Sequence, residues 1–117
     1  MDPIRLLCLA QGGYYLTTAI WPFVHMRSFL QITGPKSDLW LVRTVAALIA
    51  AIAGSILVGG WCESRSAELL ALGLSSAFAL AAVDVVYVTR RVISPIYLAD
   101  AAIELGLFAS WIAFRNP

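Results

Sequence analysis

From Thr44 to Cys62 the chain runs nineteen residues without one charged side chain. Water cannot accommodate such a stretch on the outside of a small protein, but a bilayer can. A helix of about 20 apolar residues matches the roughly 30 Å hydrocarbon thickness of a membrane. That stretch belongs to an apolar segment over residues 39–61, and segments of similar character cover residues 4–24, 67–89 and 96–114. Only 13% of the 117 residues are charged and 61% are hydrophobic, against roughly 25% and 45–50% in soluble domains. Polar side chains are therefore too few to coat four helices. The expectation is an all-α fold, one integral-membrane domain over residues 1–117 built as a four-helix transmembrane bundle.

The punctuation between segments agrees. Asp2, Asp38 and Ser94 stand where helix N-caps are needed, and Pro3 and Pro95 follow two of them, proline being tolerated at the first helical position. Glu68 falls in the first turn of the third segment, where the helix dipole favours an acid. Trp21, Trp40, Trp61 and Trp111 lie near segment ends, as an interfacial aromatic belt requires. The opening "MDPIRLL" has no basic leader and no small-x-small cleavage site follows, so the first segment is expected to be kept.

Four crossings place both termini on one face, together with the turn "CESRSAE". The other face holds "HMRSFLQITGPKSD" and "RRVISP". Arg5, Arg65 and Arg115 belong to the terminal face. Arg27, Lys36, Arg90 and Arg91 belong to the opposite one, with Arg43 just inside it. The positive-inside rule points that opposite face to the cytoplasm and the termini to the periplasm, by a margin thin enough to permit dual insertion. Cys8 and Cys62 both fall towards the terminal face, where a disulfide is conceivable in an oxidising compartment. Two free thiols packed as small hydrophobes is the plainer expectation. In the long connection, Gly34-Pro35 reads as a turn. The residues before it suggest an interfacial half-turn with Phe29, Leu30 and Ile32 dipping inward.

The charges inside the segments carry the functional reading. In "PIYLADAAIELG", Glu104 lies nine residues past Pro95, roughly 13 Å in at 1.5 Å per residue. Asp100 is one turn shallower on the same helical face as Tyr97, Phe108 and Trp111. Asp84 precedes Arg90 by six residues, which places it about 9 Å from the same face of the membrane. Arg43 enters from that face too. A charge at the bilayer centre costs about 2.5–3.5 kcal/mol on insertion scales, so the three acids should point inward. Arg43 is expected to balance one of them, and the others must hold a proton, meet a cation or reach water. Glu104, the deepest, is expected to carry a proton. Thr17 and Thr18 are candidates for the opposing wall, and His25, Arg27 and Lys36 for a basic, anion-attracting vestibule. Structural glue between helices and anchoring at the interface are the plainer uses of the same groups.

Small residues recur at intervals of four: Ala47, Ala51, Ser55 and Gly59 in the second segment, Ala67, Ala71, Ser75 and Ala79 in the third. Such stripes let helices approach closely, within the bundle or between copies. With a net charge of +1 there is no basic surface for nucleic acid. No phosphate loop, metal-ligand spacing or nucleophile elbow occurs, so neither a cofactor nor a metal is expected.

The string T-G-P-K-x-D-x-W-L-V over residues 33–42, with "AVDVVYV" and "ISPIYLADAAIELG", resembles a group of small bacterial four-helix membrane proteins without an assigned activity. The resemblance covers most of the chain and implies a bacterial inner-membrane location. Small multidrug-resistance transporters are similar in size, but their essential glutamate lies in the first helix, where this chain has only Gln11. Fluoride channels carry motifs absent here. Sterol-isomerase-like four-helix domains place paired acids and a histidine differently. The residues point first to proton-coupled binding or transport of a cationic or amphipathic small molecule. Two further classes stay open: an accessory subunit of a homodimer or larger membrane complex, and an intramembrane isomerase with one carboxyl as acid and another as base.

Overall fold

The computed structural model describes residues 2–114, and Arg115, counted above on the terminal face, lies outside them. The described residues are all-α, with five helices: α1 (Pro3–Val24), α2 (Met26–Thr33), α3 (Leu39–Trp61), α4 (Ala67–Thr89) and α5 (Tyr97–Phe114). The expected count of four misses α2. His25 makes that helix possible: it ends α1, and its Nδ1 accepts the Ser28 amide at 3.1 Å to begin α2. Gly34, at φ 100°, ends α2 in a conformation that favours glycine. Phe29 and Leu30 turn partly inward, whereas Ile32, expected to do the same, is exposed.

α3, α4 and α5 are long and apolar enough to cross a membrane. α1 has the length, 22 residues, but its central "QGGYYLTT" dilutes the apolar character. The reason is visible in what α1 buries: Gln11, Gly12 and Tyr15 face the interior beside Leu7 and Cys8.

Antiparallel pairing organises the molecule. α1 packs chiefly on α3 and α4 on α5, the two pairs meet where α1 touches α5, and the seam between α3 and α4 is thinner. Glycine sets the close approaches. A Cβ on Gly12 would come within 2.6 Å of Leu57, one on Gly60 within 2.6 Å of Cys8, and one on Gly73 would run into the Trp111 indole. At the terminal face the bundle is tied by ion pairs, Arg5 to Glu63 at 3.1 Å and Arg65 to Asp2. α3 and α4 both end in a Schellman turn: Ser64 bonds back to Gly59 at 2.9 Å and Val92 to Tyr87 at 2.8 Å, with Glu63 and Arg91 at positive φ.

Details of the caps differ from expectation. Asp2 caps Ile4 at 3.0 Å and Ser66 caps Leu69 at 3.1 Å, but Asp38 makes no side-chain capping bond. α5 starts at Tyr97 because Ser94, Pro95 and Ile96 are wound in a tighter turn, their carbonyls taking the amides three residues on. The small-residue stripes do not close the bundle. Ala47, Ala51, Ser55, Ala67, Ala71, Ser75 and Ala79 are all exposed, Gly59 alone touching a neighbour, Leu69. Cys62 is exposed and Cys8 buried, both as free thiols.

Gly73→Ala is expected to lower the thermal unfolding temperature sharply in detergent, since backbone and indole must part. Gly54→Ala, with nothing within 4 Å of its added methyl, should be neutral or stabilising by up to about 1 kcal/mol through helix propensity.

Candidate functional site

The site grows out of one polar residue on α1. Gln11 is fully buried, so its amide must be satisfied by protein. Its Oε1 accepts the Trp111 indole N–H at 2.6 Å. Its Nε2 donates towards the Tyr15 hydroxyl at 3.1 Å, the Gly73 carbonyl at 3.1 Å and Ser76 Oγ at 3.3 Å. One glutamine thereby joins α1, α4 and α5. Tyr15, one turn along α1, passes the chain on by donating to Glu104 Oε1 at 2.6 Å. Its neighbour Tyr14 donates to Asp100. The polarity is uniform: indole to amide, amide to phenol, phenol to carboxyl.

Beyond the tyrosines lie three carboxyls from two helices. Glu104 is 1% exposed and Asp84 5%, while Asp100 is half-buried in the first turn of α5. Asp100 lies near both Asp84 and Glu104, close enough for their charges to act on one another. Two ionised carboxylates have no hydrogen to share, so any bond among the three requires a proton. Asp84 Oδ2 is buried with no hydrogen-bond donor at all. No Arg or Lys pairs with any of the three among the described residues, where the ion pairs are confined to the opposite end.

The other expected members are dispersed. Arg43 is exposed on α3 and pairs with none of the acids, so the cluster lacks the counter-charge anticipated for it; a long side chain near the interface gains more by staying wet. Trp111 is 1% exposed and serves neither as belt nor as a face for the acids, its N–H being committed to Gln11. Phe108 pairs with Phe78, centroids 6.0 Å apart. Tyr97 lies under Lys36, whose ammonium is 5.2 Å from the ring centroid. Thr17 and Thr18 bond back to the α1 carbonyls of Gly13 and Tyr15 and line nothing. The three basic vestibule residues do not gather: His25 caps α2, Arg27 is exposed, and Lys36 is folded onto the end of α2.

Gln11, Tyr14 and Tyr15 went unrecognised as site residues, although the sequence carries a signal. They are the polar interruption of an apolar segment, at three- and four-residue spacing, and an interruption inside a bilayer-length helix has to face something polar. Two cavities lie away from the carboxyls. The larger, about 570 Å³, is lined by Asp2, Ile4, Arg65, Leu69, Trp111 and Phe114 among others at the terminal face. No group of three or more His, Cys, Asp and Glu among the described residues is arranged to hold a metal ion. What the site can do is hold and exchange protons. Glu104, Asp100 and Asp84 are exchangeable groups in one zone of the bundle, whereas the Gln11 amide beyond Tyr15 is not exchangeable.

Tyr15→Phe removes the donor to Glu104 and an acceptor for Gln11, and should destabilise the protein by about 1–2 kcal/mol in thermal unfolding. Gln11→Met strands the buried Trp111 N–H, while the Gly73 carbonyl keeps Ser76 as a donor, and should cost about 1–3 kcal/mol. No protein-family model, no curated protein and no solved structure matches the chain.

Proposed function

We propose that the chain is a four-crossing integral membrane protein whose Asp84–Asp100–Glu104 cluster holds protons and exchanges them for a cationic or amphipathic small molecule. α1 is the polar-lined fourth crossing and α2 lies along the interface. One observation carries the reading: a buried Asp84 oxygen without a donor, inside a cluster of acids without a base. A carboxylate so placed is costly unless it gains a proton or a cation. Such a site in a membrane is functional by default. Exchange takes place towards the α2 face, because Asp100 occupies the first turn of α5 there and Gln11 interrupts the exchangeable groups on the other side. The location proposed is the bacterial inner membrane, with the α2 face cytoplasmic.

A second reading is favoured by the outward small residues. Ala51 and Ser75 are exposed in the middle of α3 and α4, where a helix of a second copy or of a larger complex can approach closely. Under it Ala51→Leu and Ser75→Leu abolish assembly in cross-linking, while Glu104→Gln leaves assembly untouched.

The leading reading is tested in weakly buffered detergent solution with tetraphenylphosphonium as the cationic probe. The wild type should bind it and release protons, followed with a pH dye, whereas Asp84→Asn and Glu104→Gln should lose the release. Equal binding and release in all three proteins would remove the site from the function. Orientation has its own check. A membrane-impermeant maleimide should label exposed Cys62 from the periplasmic side of intact cells and leave buried Cys8 unmodified. Labelling of Cys62 only after lysis reverses the assignment.

A further inference from the structure

Lys36 makes more contacts than an anchoring lysine needs. Its Nζ donates to Thr33 Oγ1 at 2.8 Å and to the Gly34 carbonyl at 3.1 Å, and reaches the Thr33 carbonyl at 3.5 Å. The same ammonium stands 5.1 Å from the centroid of Phe29 and 5.2 Å from that of Tyr97, both inside the ~6 Å range of a cation–π contact. Three oxygens and two aromatic faces around one nitrogen make up an ammonium-recognition site. The C-terminal end of α2 contributes its partial negative charge in the same place.

The walls of this cage come from separate elements. Phe29 and Thr33 belong to α2, Gly34 to the following turn, and Tyr97 to the first residue of α5. The turn is held against the α4–α5 connection: a Cβ on Gly34 would stand 3.3 Å from Ser94 Cβ, and its φ of 100° disfavours any side chain. Phe29 is fixed in turn by Trp21, edge to face at 5.4 Å, with the Trp21 N–H on Ser28 Oγ at 2.8 Å. Lys36 itself sits on the short stretch between α2 and α3, so its ammonium can leave by side-chain rotation while the walls stay in place. Tyr97 is three residues before Asp100, about 4.5 Å of helix rise. The cage therefore lies about one helical turn from the nearest of the three carboxyls.

We propose that Phe29, Tyr97, Thr33 and Gly34 form a binding site for a primary alkylammonium ligand, filled in this structure by the chain's own Lys36, which such a ligand displaces. The proposal shares with the preceding reading the premise of a cationic ligand, but places that ligand outside the three acids. Lys36 acts as a tethered competitor. The apparent affinity for an outside ammonium falls by the fraction of time the cage stands open.

The test uses n-butylammonium as the probe, titrated calorimetrically into the full chain in nanodiscs of zwitterionic lipid, with helix content checked by circular dichroism. If Lys36 fills the cage nine-tenths of the time, Lys36→Ala should bind the probe about tenfold tighter than the wild type. Adding Tyr97→Leu to Lys36→Ala should erase the gain, and adding Asp84→Asn should preserve it. A folded Lys36→Ala protein that binds no tighter than the wild type overturns the proposal. So does a gain that survives Tyr97→Leu but vanishes with Asp84→Asn, since the ammonium then sits among the acids. A gain preserved in Asp84→Asn, in a protein whose proton release is unaffected by that substitution, leaves the cage standing while the acid-cluster reading falls.

Discussion

Three carboxyls gathered with no Arg or Lys paired to them among the described residues are the constraint around which the rest of the structure is arranged. Each would be expensive alone in a dry interior, and their proximity raises the cost, because like charges brought near one another repel strongly where water does not screen them. The protein meets the cost with phenols. Tyr15 reaches Glu104 and Tyr14 reaches Asp100, leaving Asp84 with a bare oxygen. A phenol donates one hydrogen bond and adds no charge, so it replaces only part of the hydration a carboxylate gives up on burial. An arginine would have fixed the carboxylate form. Its absence keeps the cluster able to change.

This requirement explains the unusual character of α1. All four long helices expose apolar side chains, among them Phe23 on α1, Leu48 and Val58 on α3, Phe78 on α4 and Leu105 and Ile112 on α5. α3, α4 and α5 bury mostly small or polar ones beside Ile56, Leu69 and Trp111. α1 sits between α3 and α5 and carries Gln11, Tyr14 and Tyr15 to the carboxyl-bearing helices. The distribution is that of a bilayer protein, with polar groups turned inward because lipid offers them no partner. It also explains the two tight glycine contacts that flank Gln11. Gly12 lets α1 settle on Leu57 of α3, and Gly73 lets α4 settle on the Trp111 ring. Without both, Gln11 could not reach α4 and α5 at once.

Much of this was legible in the residues. Helix bounds for α3 and α4 follow from the apolar runs and their caps, because hydrophobic length is a one-dimensional property. Asp84, Asp100 and Glu104 could be set at one depth by counting residues. Depth is only one coordinate, however, and the rotation of each helix about its axis is the other. Arg43 has the right depth but faces outward, and Trp111 shares the helical face of the acids yet lies two turns beyond Glu104, against Gln11. The small-residue stripes show the same gap: spacing identifies a smooth helix face and cannot say which neighbour it meets. α2 was missed because eight residues with one positive charge and no long apolar run give little signal, and its start depends on one histidine side chain accepting an amide.

The chemistry of Gln11 gives the cluster a direction. Carboxyls exchange protons readily and a phenol can do so at higher cost, but a primary amide has no accessible protonation change near neutral pH. The Gln11 amide is also committed, its Oε1 accepting from Trp111 and its two Nε2 hydrogens shared among three acceptors. If the cluster exchanges protons as proposed, a proton on Glu104 meets other carboxyls only in the direction of Asp100, Asp84 and the α2 face. The hydrogen-bond chain that gives the bundle its coherence across α1, α4 and α5 is also what closes it towards the terminal face. One side chain accounts for both properties, because an amide satisfies buried partners as fully as an acid would while refusing to carry the charge onward.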